Sequence, residues 1–556
     1  MPFPFFAFLA LWVCGHADRP GEHSLMVELA KRAHGNHCQD HILESIEAKM
    51  GANRKEWIEG QSIGFEAALR PLFAVLPHTP TGGLTANAAR YALHRVFVDA
   101  RGWNVNGLEE SKLYALSLAQ NGPAELPPLH RILQGEVPQE VESAFEKCSA
   151  DIGVQELALL AATLDELVHQ EVLQQVKAVF KAKKLPMFGH IDDQQLQKVL
   201  EQVMIGYICD AAGIVSPERE KYIDGKLDIK EKYPSWLNLQ NFLHSIQEVV
   251  LPTQATRVDF EDLTNVIKEL NEHYGRWQNG ECQVLSQELR QLESECPGHV
   301  PLRDFYSSHF SRGNWQFTES VAYLRSLGAL EESQREKPKL ISTNYVLGAN
   351  NCVATSKYYS QCCLNQCDGH LRKLEKAVAK SEVAPDDLQA AVKAVLPEPD
   401  MPALVSKKLV EISQKPGQAG RVALHGLPFA EWLHHAYPRE CPAPKIHNLP
   451  EELPGHFETR NGKSPAFSDE DMEAYLKKLP EVDRDQECHI AWTEEPVETW
   501  TMESPVESRR LLEVTAPFSS LWVCACVGML LGGLVASRFT SKNPQASNES
   551  QETMTA

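Results

Sequence analysis

Ile152 to Lys183 reads IGVQELALLAATLDELVHQEVLQQVKAVFKAK, and this stretch decides the fold class. Leu157, Leu160, Leu164, Leu167, Val172, Val176 and Phe180 return at helical intervals. An α-helix stacks positions three and four apart on one face, so the run predicts one long amphipathic helix. The same period recurs outward from it. Upstream, Ile42, Ile46 and Met50 lie on one helix, and Thr85 can cap another carrying Ala89, Leu93, Val96 and Phe97. Downstream come Leu196, Val199, Val203, Ile205 and Ile208, then Leu263, Ile267, Leu270 and Tyr274, then Leu285, Leu289 and Leu292. Thr318 precedes Val321, Leu324 and Leu327, and Gly328 is a natural stop. Tyr358 to Val383 and Pro385 to Leu396 read as two more helices. Alternating β-branched runs are few, with Lys339 to Thr343 the best short strand candidate. The predicted class is mainly α, joined by short connections.

Composition narrows the function classes. The chain has 556 residues, 43% hydrophobic and 23% charged, with a net charge of -21. That is enough apolar material for real cores, and no basic face stands out. A diffuse acidic balance repels phosphate backbones, so no nucleic acid is expected as a partner.

Two apolar segments set the expected compartment. Pro2 to Cys14 is too short to span a bilayer and is followed by Gly15-His16-Ala17, so it reads as a signal peptide cleaved after Ala17, although no Lys or Arg precedes it. Ser519 to Ser537, SSLWVCACVGMLLGGLVAS, holds no charge and no Pro and reads as a transmembrane helix. Trp522 suits the interface, and Arg538 and Lys542 follow on the expected cytosolic side. Gly528, Gly532 and Ala536 form a small-residue face through which two spans could pair as a homodimer. From Asn448 to Pro517, repeated prolines and an acidic excess predict an extended stalk, with one helix capped by Ser468. The expected order is signal peptide 1–17, N-terminal helical region 18–212, helical Cys-containing region 213–447, stalk 448–517, span 519–537 and cytosolic tail 538–556.

Of 14 cysteines, Cys14 falls in the signal and Cys524 and Cys526 in the span, which leaves eleven on the lumenal or extracellular side. An oxidising compartment should pair them, and an odd number leaves at least one over. Cys352, Cys362, Cys363, Cys367 and Cys441 are the disulfide candidates; adjacent Cys362 and Cys363 can reach different partners. The competing reading is a metal. Cys363, Cys367 and His370 at i, i+4 and i+7 would share one helix face, with His425, His434, His435 or Cys441 as a fourth ligand for zinc. Glu166-x-x-His169 and Glu431-x-x-His434 match di-iron spacing, but lie far apart in sequence. His34, His37, Cys38 and His41 form a further histidine cluster.

No phosphate loop, nucleophile elbow, His-Glu-x-x-His or dinucleotide fingerprint occurs. Asn87 to Leu108 (NAARYALHRVFVDARGWNVNGL) and Arg421 to Pro444 (RVALHGLPFAEWLHHAYPRECPAP) are rich in His, Arg and aromatics, as pocket walls or packed helix ends are. These two stretches, with Asn344-Tyr345-Val346-Leu347-Gly348 and the cysteines after it, resemble an uncharacterised family of secreted or single-span membrane proteins of unicellular algae and related protists. The resemblance covers Thr85 to Pro444 and implies no activity and no functional residue. The reading that results is a single-pass type I membrane protein of the secretory pathway or cell surface. Its helical lumenal or extracellular domain meets an unidentified protein partner and needs no cofactor. The alternative is a metal-dependent enzyme with a His/Cys site between 363 and 441.

Overall fold

A computed structural model describes residues 38–108, 129–147, 152–186, 188–211, 235–251, 257–294, 296–308, 315–332, 337–353, 356–399, 402–414, 420–444 and 453–481. These are mainly helical. The long helix expected from the opening stretch runs Val154–Lys183, and it serves two cores. Leu157 to Val168 enter the first, while Val172, Val176 and Phe180 enter the second. A second long helix, Phe260–Gln291, continues the chain of cores. Asp259 and Asp262 start it with a reciprocal capping box. Leu263 to Tyr274 complete the second core, and Cys282 and Leu289 belong to the third.

The first core draws on distant parts of the chain. It holds residues from Ile42 to Val168 and again from Tyr358 to Cys441. At its centre lies helix Ala86–Arg101, in which every side chain from Ala88 to Val98 is buried. Thr85 caps it as read, its hydroxyl accepting the Ala88 N–H at 3.3 Å. Gly102 ends it with φ 69, a left-handed turn that glycine adopts without steric cost. A Cβ on Gly102 would meet Gly275 Cα at 3.3 Å, so the two backbones touch here.

Strands are short. Trp103–Val105 pairs antiparallel with Tyr359–Gln361, placing Asn104 opposite Ser360. Of the strand candidate Lys339 to Thr343, Lys339–Ile341 is the middle of a three-stranded sheet with His299–Pro301 and Leu330–Glu331, while Ser342 and Thr343 begin helix Ser342–Val346.

Two expectations change. Tyr358 to Val383 is not one helix; strand Tyr359–Gln361 precedes helix Cys367–Val378. Stacking of Tyr359 on Trp103, ring centroids 4.2 Å apart, favours the strand. The beginning of the expected stalk is also folded. Helices Pro454–Asn461 and Asp469–Leu476 put Phe457 and Met472 into the third core, joined by Leu479. Phe467, Tyr475 and Leu476 pack against that core, so six apolar side chains dock an otherwise polar segment. Ser468 caps the second of these helices, as read. Among the described residues no helix is long and apolar enough to cross a membrane. The signal peptide, the span with Gly528, Gly532 and Ala536, and residues 482–517 lie outside the described residues.

Candidate functional site

Eight of the nine cysteines among the described residues are disulfide-bonded: Cys38, Cys282, Cys296, Cys352, Cys362, Cys363, Cys367 and Cys441. Cys282 joins Cys363, Cys352 joins Cys362, and Cys367 joins Cys441. Adjacent Cys362 and Cys363 therefore do bond in different directions. Cys363 and Cys367 have no thiolate to offer a metal in this state. The histidines of the expected cluster are also dispersed. His370 packs against Tyr437, ring centroids 4.9 Å apart. His434 places Nδ1 2.9 Å from the Cys441 carbonyl oxygen. Its ring lies 5.5 Å from that of His435 and 5.7 Å from that of His299. His425 sits 3.0 Å from Glu375. Glu166 pairs with Arg54 at 3.5 Å, and His169 stacks on Trp57. Among the described residues no group of three His, Cys, Asp or Glu side chains is arranged to hold a metal.

What the disulfides do surround is a cavity of about 490 Å³. Cys352, Cys362, Cys363 and Cys367 line it, so all three mapped bonds reach its wall. Helix Ala86–Arg101 adds His94 and Val98, the two-stranded ribbon adds Asn104 and Ser360, and the start of helix Cys367–Val378 adds Asp368 and Leu371. Leu424, Leu433, Pro442 and Pro444 supply much of the apolar wall. The volume falls within the roughly 300–1,000 Å³ of ordinary small-molecule sites.

A buried charge network underlies the polar end. Arg95 Nη1 donates to the Tyr91 hydroxyl at 2.6 Å and to Glu375 Oε1 at 3.5 Å. Its Nη2 donates to the Asp368 carbonyl oxygen at 3.5 Å, and its Nε lies 4.0 Å from Asp368 Oδ2. Burial works against the Arg95 charge, but Tyr91, Asp368, Glu375 and Asp99 outweigh it and hold the guanidinium protonated. Burial pushes the Asp368 carboxyl up to about 6, Asp99 and Glu375 adding to the shift and Arg95 and Arg372 opposing it. Burial, with Arg95 adding repulsion, pushes His94 down to about 4, so it is a neutral imidazole near pH 7.

His434, whose Nδ1 lies 2.9 Å from the carbonyl oxygen of disulfide-bonded Cys441, gives a pH test. Burial first, then His299, pushes it down to about 3, while an unfolded histidine protonates near 6.5. Its contribution is therefore complete above about pH 6.5 and declines as pH falls toward 3, because the unfolded chain takes up the proton first. In His434→Gln the other titrating groups are retained and cancel in the comparison. The stability gap between wild type and variant is expected to narrow from pH 7 to pH 4.5. A gap in denaturant midpoints that stays constant or widens removes the assignment of a buried neutral His434.

The sequence marked the stretch that holds His94, Arg95 and Asn104 as a pocket wall or packed helix end without singling those residues out, and it gave no sign of Asp368 or Ser360. One signal was available: Arg90, His94 and Arg95 interrupt the apolar positions of a helix whose pattern is otherwise interior. Compared with known protein families, curated proteins and solved structures, the chain matches none.

Proposed function

We propose that the chain is a single-pass type I membrane protein whose oxidised helical ectodomain, lumenal or extracellular, captures a ligand in the disulfide-walled cavity. The observation that carries this reading is that eight cysteines among the described residues are in disulfides, a state that persists in oxidising compartments and is rare in the cytosol. The apolar segments at 2–14 and 519–537 support the same topology. The cavity supports ligand capture, because it combines an apolar wall with a few polar groups, the usual make-up of a small-molecule site.

Topology is tested by glycan mapping in cells. Phe188 is 98% exposed and precedes Gly189 and His190, so Phe188→Asn with His190→Thr creates an acceptor at an open turn. This site is expected to be glycosylated, while Asn548, in the sequon of the expected tail, stays bare. Glycan on Asn548 alone inverts the topology, and a chain recovered soluble and bare at both sites overturns the reading.

Cysteine arithmetic adds a second check. Of the eleven cysteines between signal and span, eight are described and bonded, six of them to one another. Cys38 and Cys296 are then expected to pair with two of Cys148, Cys209 and Cys488. Non-reducing peptide mapping should find the third as a free thiol or a link to another chain. Free thiols at Cys38 and Cys296 in cell-derived protein would refute it.

A further inference from the structure

His94 is 8% exposed and lines the cavity, and its buried Nδ1 has no hydrogen-bond partner among the described residues. Leaving a buried polar group unpaired is costly, and folded proteins retain few such groups without a reason. Asp368, 7% exposed, is the second polar group of the wall that is left short of partners. Its Oδ1 accepts only a long bond from Asn365 Nδ2 at 3.3 Å. Its Oδ2 has Arg95 Nε at 4.0 Å, beyond hydrogen-bond reach. Asn104 and Ser360, opposite each other on the ribbon, add further donors and acceptors.

Charge indicates the sign of the missing partner. Behind the wall, the carboxylates of Asp99, Asp368 and Glu375 face the two guanidiniums of Arg95 and Arg372, with His425 at 3.0 Å from Glu375 Oε1. At the rim, Lys357 is held by Glu136, and Glu171 accepts the Ser356 hydroxyl and the Lys357 N–H. Each group holds one more carboxylate than Lys and Arg cations. In a partly enclosed site such an imbalance attracts a cation more strongly than it would in water.

We propose that the cavity binds an amphipathic monoamine, whose ammonium donates hydrogen bonds to Asp368 Oδ2 and to the imidazole of His94 and whose apolar body lies on Leu371, Leu424, Leu433 and Pro442. Three N–H donors on one small cation suit two acceptors that lack donors, with Asn104 or Ser360 available for the third. The proposal rests on the reading of the cavity as a ligand seat and adds the chemical class.

Calorimetric titration of the full chain in detergent, near neutral pH, tests it with three probes of one length: n-hexylamine, n-hexanol and hexanoate. Hexylamine is expected to bind best and hexanoate worst. Asp368→Asn, which keeps the shape of the side chain, is expected to weaken hexylamine by about tenfold or more, the loss of one charge-assisted hydrogen bond, and to leave hexanol unchanged. His94→Phe should weaken hexylamine without erasing its advantage over hexanoate. Hexanoate or hexanol binding as tightly as hexylamine overturns the amine assignment and leaves the seat standing. No heat from any of the three overturns both. Hexylamine binding that both variants leave untouched places the amine elsewhere and also overturns the proposal.

Discussion

Arg95→Leu is expected to destabilise the folded chain by about 3–5 kcal/mol, the range for breaking a buried ion pair from one side. Arg95 is 2% exposed and faces Asp368 and Glu375, themselves 7% and 6% exposed. Leucine would leave both carboxylates buried without their guanidinium, and the Tyr91 hydroxyl would lose its donor at 2.6 Å. Arg95→Lys should recover only part of the loss. An ammonium is a point charge and cannot reach Tyr91, Glu375 and the Asp368 carbonyl together, as the planar fork does. Removing the charges jointly, as Arg95→Met with Asp368→Asn and Glu375→Gln, should be much milder than Arg95→Leu alone, because no uncompensated charge remains. Urea denaturation of the series decides the matter. A loss under about 1 kcal/mol for Arg95→Leu would show that water or rearrangement compensates these carboxylates.

The second large effect concerns the Cys282–Cys363 bond, which closes 81 residues of chain. By loop closure it restrains the unfolded state by about 4.5 kcal/mol, against about 2.7 kcal/mol for the Cys352–Cys362 bond across 10 residues. Cys282→Ala with Cys363→Ala is therefore expected to cost more than Cys352→Ala with Cys362→Ala. Equal or reversed costs in denaturant midpoint would mean that native packing around the bonds, rather than chain entropy, sets their value. The contrast is informative because Cys362 and Cys363 are neighbours and both line the cavity.

The helical class was legible because its signal is local. In Val154–Lys183 and Phe260–Gln291 the apolar period persists over several turns, and burial follows it. The strand at Tyr359–Gln361 was not legible, since its partner Trp103–Val105 lies some 250 residues earlier and three residues carry no period of their own. Folding of the segment at 453–481 was hidden by its prolines and acids, which outnumber the apolar residues that dock it. The five disulfide candidates are all bonded, but the partner of Cys363 is Cys282, which nothing in the local spacing singles out. The polar end of the cavity was illegible for a similar reason. His94 and Asp368 are brought to one wall by tertiary packing alone. The histidines at 425 to 435 had drawn attention as metal ligands; they are buried, with His425 against a carboxylate and His434 against a backbone carbonyl.

The neighbouring half-cystines have a consequence for biosynthesis. A ribosome releases Cys282 long before Cys363, and the next cysteine to emerge, Cys296, follows after only 14 residues. When the later group arrives, Cys362 and Cys363 stand side by side and differ by a single position in their reach toward Cys282 and Cys352. A chain that oxidises as it emerges thus meets wrong partners before right ones, and its maturation depends on reshuffling by attacking thiolates until the helices select the pairing.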